Sequence, residues 1–424
     1  MTAQIENPAQ AFPGAQIPPA DPAFMRPRPD HVPVELIRPY PFILGAKTQL
    51  PPHSFILPIH DYPPLFWAER AINGIQGAWV PRTLDLLQRI FLDNVNFSNR
   101  DSAPFAKFIG ESWMSVPSET DPPDHAVFRS MLNPVFAPKR MAALEDKIRL
   151  YAREYIARFR DKGRCEFMSE FAFEFPIKVF LELMGLPQER APEFLEWEHK
   201  LLHEPDINEV IRGTRSVVDY LRSEIAERRV RPQDDMISFG LAVEKNGRTL
   251  TDDELVGFTF NLFIGGLDTV STNMAWQALH LAQNPQDQAW LREDPSRIPN
   301  AIDEMMRHYA AVAINRECVN EVTIDGVTIK PGDKVTLATY LGGHDPAAYD
   351  QPETVRLDRG RRHVSFGYGP HLCIGMHLAR REMRIALEEL LAGIGEFRLA
   401  DDADITYYLA AIMQPITLPL QWDK

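Results

Sequence analysis

Cysteine is scarce in this chain, with three in 424 residues: Cys165, Cys318 and Cys373, far apart. That excludes a disulfide framework and suits a reducing compartment. Bases are outnumbered, 45 Lys and Arg against 59 Asp and Glu, for a net charge of −14. Nucleic-acid binders and basic membrane-surface proteins do not carry that balance. No run of about 18 apolar residues occurs, and the N-terminus lacks a basic-then-apolar signal pattern. Internal repeats and low-complexity tracts are missing too. These absences lead to the expectation of a cytoplasmic protein, a monomer with no nucleic-acid or membrane partner. What is present is ordinary globular composition: 45% apolar, 25% charged and 10% aromatic residues.

Residues 1–35 are rich in proline and alanine without periodicity and read as a loosely draped N-terminal arm. Trp79–Pro81 reads as a strand and Leu84–Phe91 as a helix. From Asp121 onward helical patterns dominate: Met141–Arg160, Phe171–Met184, Glu193–His203, Ile207–Arg228 and Asp234–Val243. Val322–Ile329 is a hairpin with an Asp-Gly turn, and Val335–Leu341 a further strand. The fold class is mainly α with a minor β portion, with 36–424 read as one domain.

The stretch Ser365-Phe366-Gly367-Tyr368-Gly369-Pro370-His371-Leu372-Cys373-Ile374-Gly375 is glycine-rich and runs into a helical pattern over Met376–Leu391. Cys373 therefore sits at a helix mouth, where unpaired N–H groups and the dipole favour a thiolate. Such a thiolate is a good axial ligand for haem iron. The competing reading is a buried structural cysteine after a turn.

Thr251–Gln283 is the longest helical run, opened by the capping box Thr251-Asp252-Asp253-Glu254 and stopped by Asn284-Pro285. About 33 residues at about 1.5 Å each span about 50 Å. Its middle is apolar on nearly every side, so the helix belongs in the core. Gly265-Gly266-Leu267-Asp268-Thr269 interrupts it. Two glycines weaken the helix, and Thr269 can bond back toward the carbonyl of Gly265, so a local opening is expected. The alternative is a defect kept for close packing, but an acid there is costly to bury without a task or a partner.

Asp121-Pro122-Pro123-Asp124-His125 reads as a helix start, with Asp121 the N-cap and Pro122 in the first turn. It puts His125 and Arg129 on one face. Taken alone, the pair is equally a polar helix surface. Glu304 and Arg307 share a face in E-x-x-R spacing, which alone signals nothing. Between Arg356 and Arg384 stand seven arginines and two acids, either a steering patch for an acidic partner or local compensation on a solvated face.

The pattern F-G-x-G-x-H-x-C-x-G resembles the haem-binding loop of the cytochrome P450 family. D-P-P-x-H-x-x-x-R, G-G-L-D-T-V and E-x-x-R are similar to three further motifs of that family, in the same order. The second of these is closest in wording to the bacterial camphor hydroxylase group. The resemblance runs from about Pro33 to the C-terminus. It implies the P450 fold, a helix-rich prism with small sheets, and heme b carried on the Cys373 thiolate within a loop that includes Phe366 and Gly367. It implies that His125, Arg129, Arg316 and His371 reach the propionates, and that Glu304 and Arg307 are structural. Asp268 and Thr269 would relay protons for oxygen activation. Relatives hold this acid with basic residues on an earlier helix. Here that region offers His199, Lys200 and His203 but no arginine.

By the same resemblance Phe105, Trp113, Asn261, Ile264 and Val312 would form the substrate pocket; where the camphor hydroxylase group has a tyrosine that hydrogen-bonds the ketone, Trp113 is bulkier and donates through a differently placed N–H, and it is equally readable as plain core. The implied activity is hydroxylation of a small or medium apolar terpenoid or norisoprenoid. Dioxygen and two electrons would come in, the latter from a [2Fe-2S] ferredoxin with its reductase. A peroxygenase or isomerase of haem-thiolate type, and a non-catalytic haem-binding sensor, are the other classes. Asp268-Thr269 speaks against the first, and the second would need only the Cys373 loop.

Overall fold

Trp79 has no exposed surface, and around it the first of two compact units is built. The structure, a computed structural model, describes residues 8–204, 206–360 and 362–423. The first unit comprises residues 1–98, 275–373 and 396–421, and the second residues 99–274, 374–395 and 422–424.

In the first unit Leu65–Ile72 and Gln76–Pro81 form an antiparallel hairpin. Gly77 stands there because a Cβ would lie 2.4 Å from the Trp67 ring. Lys334–Ala338 adds in parallel beside Gln76–Pro81, followed by Ala313–Cys318 and Phe97–Ser98, both antiparallel. β-Branched and aromatic residues line its buried face, where Trp67, Trp79, Val335, Leu337 and Phe97 pack with Leu86, Leu87, Ile90 and Phe91 of helix Leu84–Leu92. Thr83 caps that helix by accepting from the Leu86 amide. Of the stretch expected as an arm, Ala15–Gln16 pairs with Ala46–Thr48 in a second sheet, Phe12 is buried among Phe55, Ile56 and Leu409, and Val32 joins the core beside the first sheet. Residues 1–7 lie outside the described residues.

The second unit is helical. Glu145–Ala157 packs on Met376–Gly393, tied by Arg149 to Glu388 (2.7 Å) and Glu389 (2.5 Å). Ile207–Val230 packs on Ala191–Leu202. The expected central helix is present as Asp252–Gly266 and Asp268–Gln283, of which residues 252–274 belong to this unit, with the capping box formed by Thr251 and Glu254. By length and hydropathy this run could cross a membrane, but 78% of its apolar window is buried within the protein, as befits a core helix. At Gly257 a Cβ would fall 1.9 Å from the carbonyl oxygen of Met114. We therefore expect Gly257→Ala to lower stability by about 3 kcal/mol, as overpacking against rigid backbone does. An unchanged denaturation midpoint would mean that this contact yields freely.

Three local expectations are corrected. Met141–Arg160 is two helices, Pro138–Ala142 and Glu145–Ala157. The strand read over Val335–Leu341 ends at Ala338, and Thr339–Gly343 turns helical because the Thr339 amide and hydroxyl both bond the carbonyl of Val312. Asp121 is not an N-cap: helix Asp124–Leu132 starts after Pro123, and the Asp121 carboxylate accepts from the amide of Asn99 at 2.9 Å.

Candidate functional site

In the first unit the cysteine loop is shaped by its glycines. The Gly367 amide donates to the carbonyl of Val364, and the Cys373 amide to that of Phe366, both at 2.8 Å. Gly367 and Gly369 have φ of +75° and +72°, which side chains disfavour. At Gly369 a Cβ would also meet Leu92 at 2.9 Å, so the loop seats directly on helix Leu84–Leu92. Phe366 packs on the His363 ring, and His371 closes a short turn begun at Gly369. Cys373 is exposed, whereas Cys165 and Cys318 are buried. Burial holds both of those thiols neutral, raising Cys165 strongly and Cys318 to about 11. Cys373 is thus the one sulfur presented to a ligand, and the alternative of a buried structural cysteine falls.

Behind the loop, Glu304 and Arg307 are fully buried and joined by two hydrogen bonds of 2.9 Å. Arg307 also donates to the carbonyls of Gly343, Pro352 and Thr354. Glu304 further accepts from Arg359 at 3.0 Å and from the Arg356 amide at 2.9 Å. All five N–H groups of Arg307 are thereby used and Glu304 accepts from three residues, which is what makes so buried an ion pair tolerable. Arg359 was not singled out in the sequence, and nothing in its local spacing marks it. Arg316 is buried, and its Nη1 donates to the carbonyls of Ile90 (2.8 Å) and Phe91 (3.2 Å). It is not a solvated strand residue.

In the second unit the central helix breaks at Leu267, between Gly266 and Asp268. Thr269 Oγ1 donates to the Gly265 carbonyl at 3.0 Å, as its spacing predicts. The helix is buried on most sides, but Asn261, Ile264, Gly265, Gly266 and Thr269 form one open stripe. A Cβ on Gly265 would meet nothing within 4 Å. Asp268 is fully buried, and neither of its oxygens is hydrogen-bonded within the described residues. It is held by charge: His203 Nε2 lies 3.4 Å from Asp268 Oδ1 and 3.5 Å from Glu198 Oε1. Of the three candidates for this role, Lys200 turns to Glu196, His199 pairs with Glu204, and His203 is the one that reaches Asp268. Glu198 was missed, because a lone acid on an amphipathic helix ordinarily faces water.

His125 is buried, and Arg129 on the same face donates from Nε to Asn133 Oδ1 at 2.9 Å. Phe105 and Trp113 both pack on Phe260, at 5.4 and 4.8 Å between ring centroids. Trp113 Nε1 donates to Glu111 at 2.8 Å, and Glu111 is in turn gripped by Arg222. That N–H is therefore engaged by Glu111 in this structure. Asn261 and Ile264 remain on the open stripe, and Val312 is half-buried in the first unit. The basic patch is also reduced: Arg356 pairs with Asp350, Arg359 with Glu304, Arg381 with Glu145, and Arg384 with Glu145 and Glu388. Arg361 lies outside the described residues.

Comparison with known proteins accounts for this combination. The sequence model of the cytochrome P450 family matches residues 74–299 and 296–399. A protein named probable cytochrome P450 127A1, from Sinorhizobium fredii, is 37% identical over 389 residues, which is 90% of this chain and 94% of that one. Cytochrome P450-terp of a Pseudomonas species is 29% identical over 66% of this chain and 70% of its own. The crystal structures of CYP101J2 and CYP101C1 superpose with TM-scores of 0.84 and 0.82, each at 32% identity over 94% of this chain and all of theirs. With the exposed cysteine of a glycine-shaped loop and an interrupted core helix in place, the chain belongs to the cytochrome P450 family, a haem-thiolate oxygenase with the fold its motifs implied.

Proposed function

We propose that the protein hydroxylates a small or medium apolar substrate of terpenoid or norisoprenoid type, taking two electrons from a [2Fe-2S] ferredoxin and its reductase. The observation that carries this reading is the open stripe of the central helix. It is apolar at Ile264, bare at Gly265, polar at Asn261, and ends beside the acid–alcohol pair Asp268-Thr269. An apolar ligand with one polar group suits it, and Asn261 can both donate and accept. The name of the relative P450-terp lends support to the substrate class.

Cys373 would hold heme b by its sulfur from a loop braced by Phe366 and Gly367, with His125, Arg129, Arg316 and His371 the residues for its carboxylates. The bound group supplies oxygen activation, which electron donation from the thiolate favours. The chain's own task is to bring protons and exclude stray water. Thr269 Oγ1 gives its one O–H to the Gly265 carbonyl at 3.0 Å and keeps its lone pairs to accept a hydrogen bond from a protonated group at the open stripe. Asp268 is the acid that feeds it. Exposed parts of the arginine stretch, Arg362 among them, leave a smaller docking surface for an acidic ferredoxin than the sequence suggested.

Titrating the ferric holoprotein with a panel of terpenoids, norisoprenoids, steroids and macrolides tests the substrate class. Low- to high-spin shifts confined to the first two groups are expected. Shifts only with steroids or macrolides would overturn the assignment. Thr269→Ala is expected to keep most oxygen consumption while diverting the majority of it to hydrogen peroxide, measured as product formed per oxygen reduced. Unchanged coupling would remove Thr269 from the relay.

A further inference from the structure

Three buried titratable groups meet at one nitrogen. Glu198 Oε1 and Asp268 Oδ1 both lie within 3.5 Å of His203 Nε2, and the side chains are 6%, 0% and 13% exposed for Glu198, Asp268 and His203. Two carboxylates and one imidazolium cannot all be charged cheaply at such burial, because one negative charge remains uncompensated. A proton on one acid relieves it. Glu198 is the better seat, since burial and then the charge of Asp268 push its carboxyl up.

We propose that Glu198 and His203 form a proton store that recharges Asp268. The inference rests on the reading of Asp268 as the acid of the relay. In the transfer, the His203 Nε2–H bond breaks as a bond forms to Asp268 Oδ1. The Glu198 proton moves onto the same Nε2, so His203 ends as it began, and Glu198 is left as a carboxylate to be reprotonated from solvent. The net movement is one proton from Glu198 to Asp268, with no change in electron count. Both acids address one nitrogen, so no ring flip is needed.

The energetics are suited to neutral pH. Burial, then the negative charge of Asp268, raises Glu198 to about 7, where a group most readily both gives and regains a proton. Burial alone would lower His203, but Asp268 and Glu198 outweigh it and raise it to about 10, so the imidazole stays a cation. An outer end exists as well. The exposed His199 ring stands 5.7 Å from that of His203 and its Nε2 is 3.4 Å from Glu204. The remaining charges nearby are paired off: Lys200 with Glu196 on the same helix, and Arg212 with Glu209 on helix Ile207–Val230, where Asp206 caps the first turn.

The test uses the holoprotein in its diamagnetic reduced carbon monoxide form, with histidine labelled at the ring. The His203 resonance is expected to remain that of an imidazolium through pH 8, with a small inflection near pH 7 as Glu198 loses its proton. Glu198→Gln should erase that inflection. Product per oxygen reduced should fall several-fold in wild type between pH 6 and pH 8. In Glu198→Gln it should be low and flat, and Glu198→Asp should restore a slope. Persistence of the inflection, or full coupling, in Glu198→Gln overturns the proposal. Asp268→Asn separates the two readings: unchanged coupling there defeats the relay itself, whereas uncoupling there with none in Glu198→Gln defeats only the store. Should Glu198→Gln not fold, the wild-type titration decides, since a His203 signal that is neutral at pH 8 or lacks the inflection is sufficient to reject it.

Discussion

Cys373→Ala is expected to reduce turnover to background and to remove the strongly red-shifted Soret band of the reduced, carbon monoxide-bound protein. That band reports a thiolate on the iron, and the sulfur has no substitute. Cys165 and Cys318 are buried, and burial raises both thiols, so neither can offer a thiolate near neutral pH. Cys165→Ala and Cys318→Ala should therefore keep the band. The loop that carries Cys373 is fixed by backbone bonds and by two positive-φ glycines, so removing the sulfur alone leaves its shape. A wild-type band at the histidine-ligated position, in protein shown to be folded, would refute Cys373 as the ligand. A red-shifted band that survives in Cys373→Ala would do the same.

The second large effect is acid lability of the first unit. His53 is packed among the rings of Trp276 (5.1 Å), His308 (5.2 Å) and Tyr309 (4.8 Å), and His308 lies 4.7 Å from His344. Burial chiefly, then the charge of His280, lowers His53 to about 4; burial chiefly, then His344 and His53, lowers His308 well below its usual range. Burial lowers His344 to about 3, although its Nδ1–H donates to the Tyr340 carbonyl at 3.0 Å. These groups titrate lower in the folded state than in the unfolded chain. Below about pH 6.5 the unfolded chain takes protons that the folded one refuses, so stability is lost as pH falls from there toward about 4. By linkage each such histidine costs about 2 kcal/mol at pH 5. Three together are comparable with the whole stability of an ordinary domain. Urea denaturation of the holoprotein at pH 7.5 and pH 5 measures the loss. Buried Glu119 and Glu382 are raised and oppose it, so the histidine share is read from variants. His308→Gln and His344→Asn should each flatten the pH dependence. A slope unchanged in both would show that these rings are not the acid-sensitive element.

Much of the site was legible because its chemistry demands neighbours in sequence. The turn before Cys373 needs glycine where φ is positive, and a helix must follow at once. The hydroxyl of Thr269 reaches the Gly265 carbonyl because four residues make one helical turn. The capping box of Thr251 and Glu254 is likewise local. Local readings failed where a distant group competed. Asp121 has the identity of an N-cap, but the Asn99 amide claims its carboxylate. Trp113 has an indole N–H whose partner Glu111, two residues away, is set by the distant Arg222. Four of the seven arginines of the basic stretch are spent on Asp350, Glu304, Glu145 and Glu388.

The family, the mainly helical class, the cysteine loop and the break in the central helix are readable from residue order, since each depends on residues within a few positions of one another. Which of His199, Lys200 and His203 holds Asp268, that Glu198 joins them, and that Arg359 completes the Glu304–Arg307 knot follow from packing alone. The same holds for the ring cluster of His53, His308 and His344, drawn from three distant stretches. The physical reason is common to all of these. A buried charge or imidazole is settled by whatever shares its low-dielectric surroundings, and those neighbours are brought there by packing rather than by sequence order.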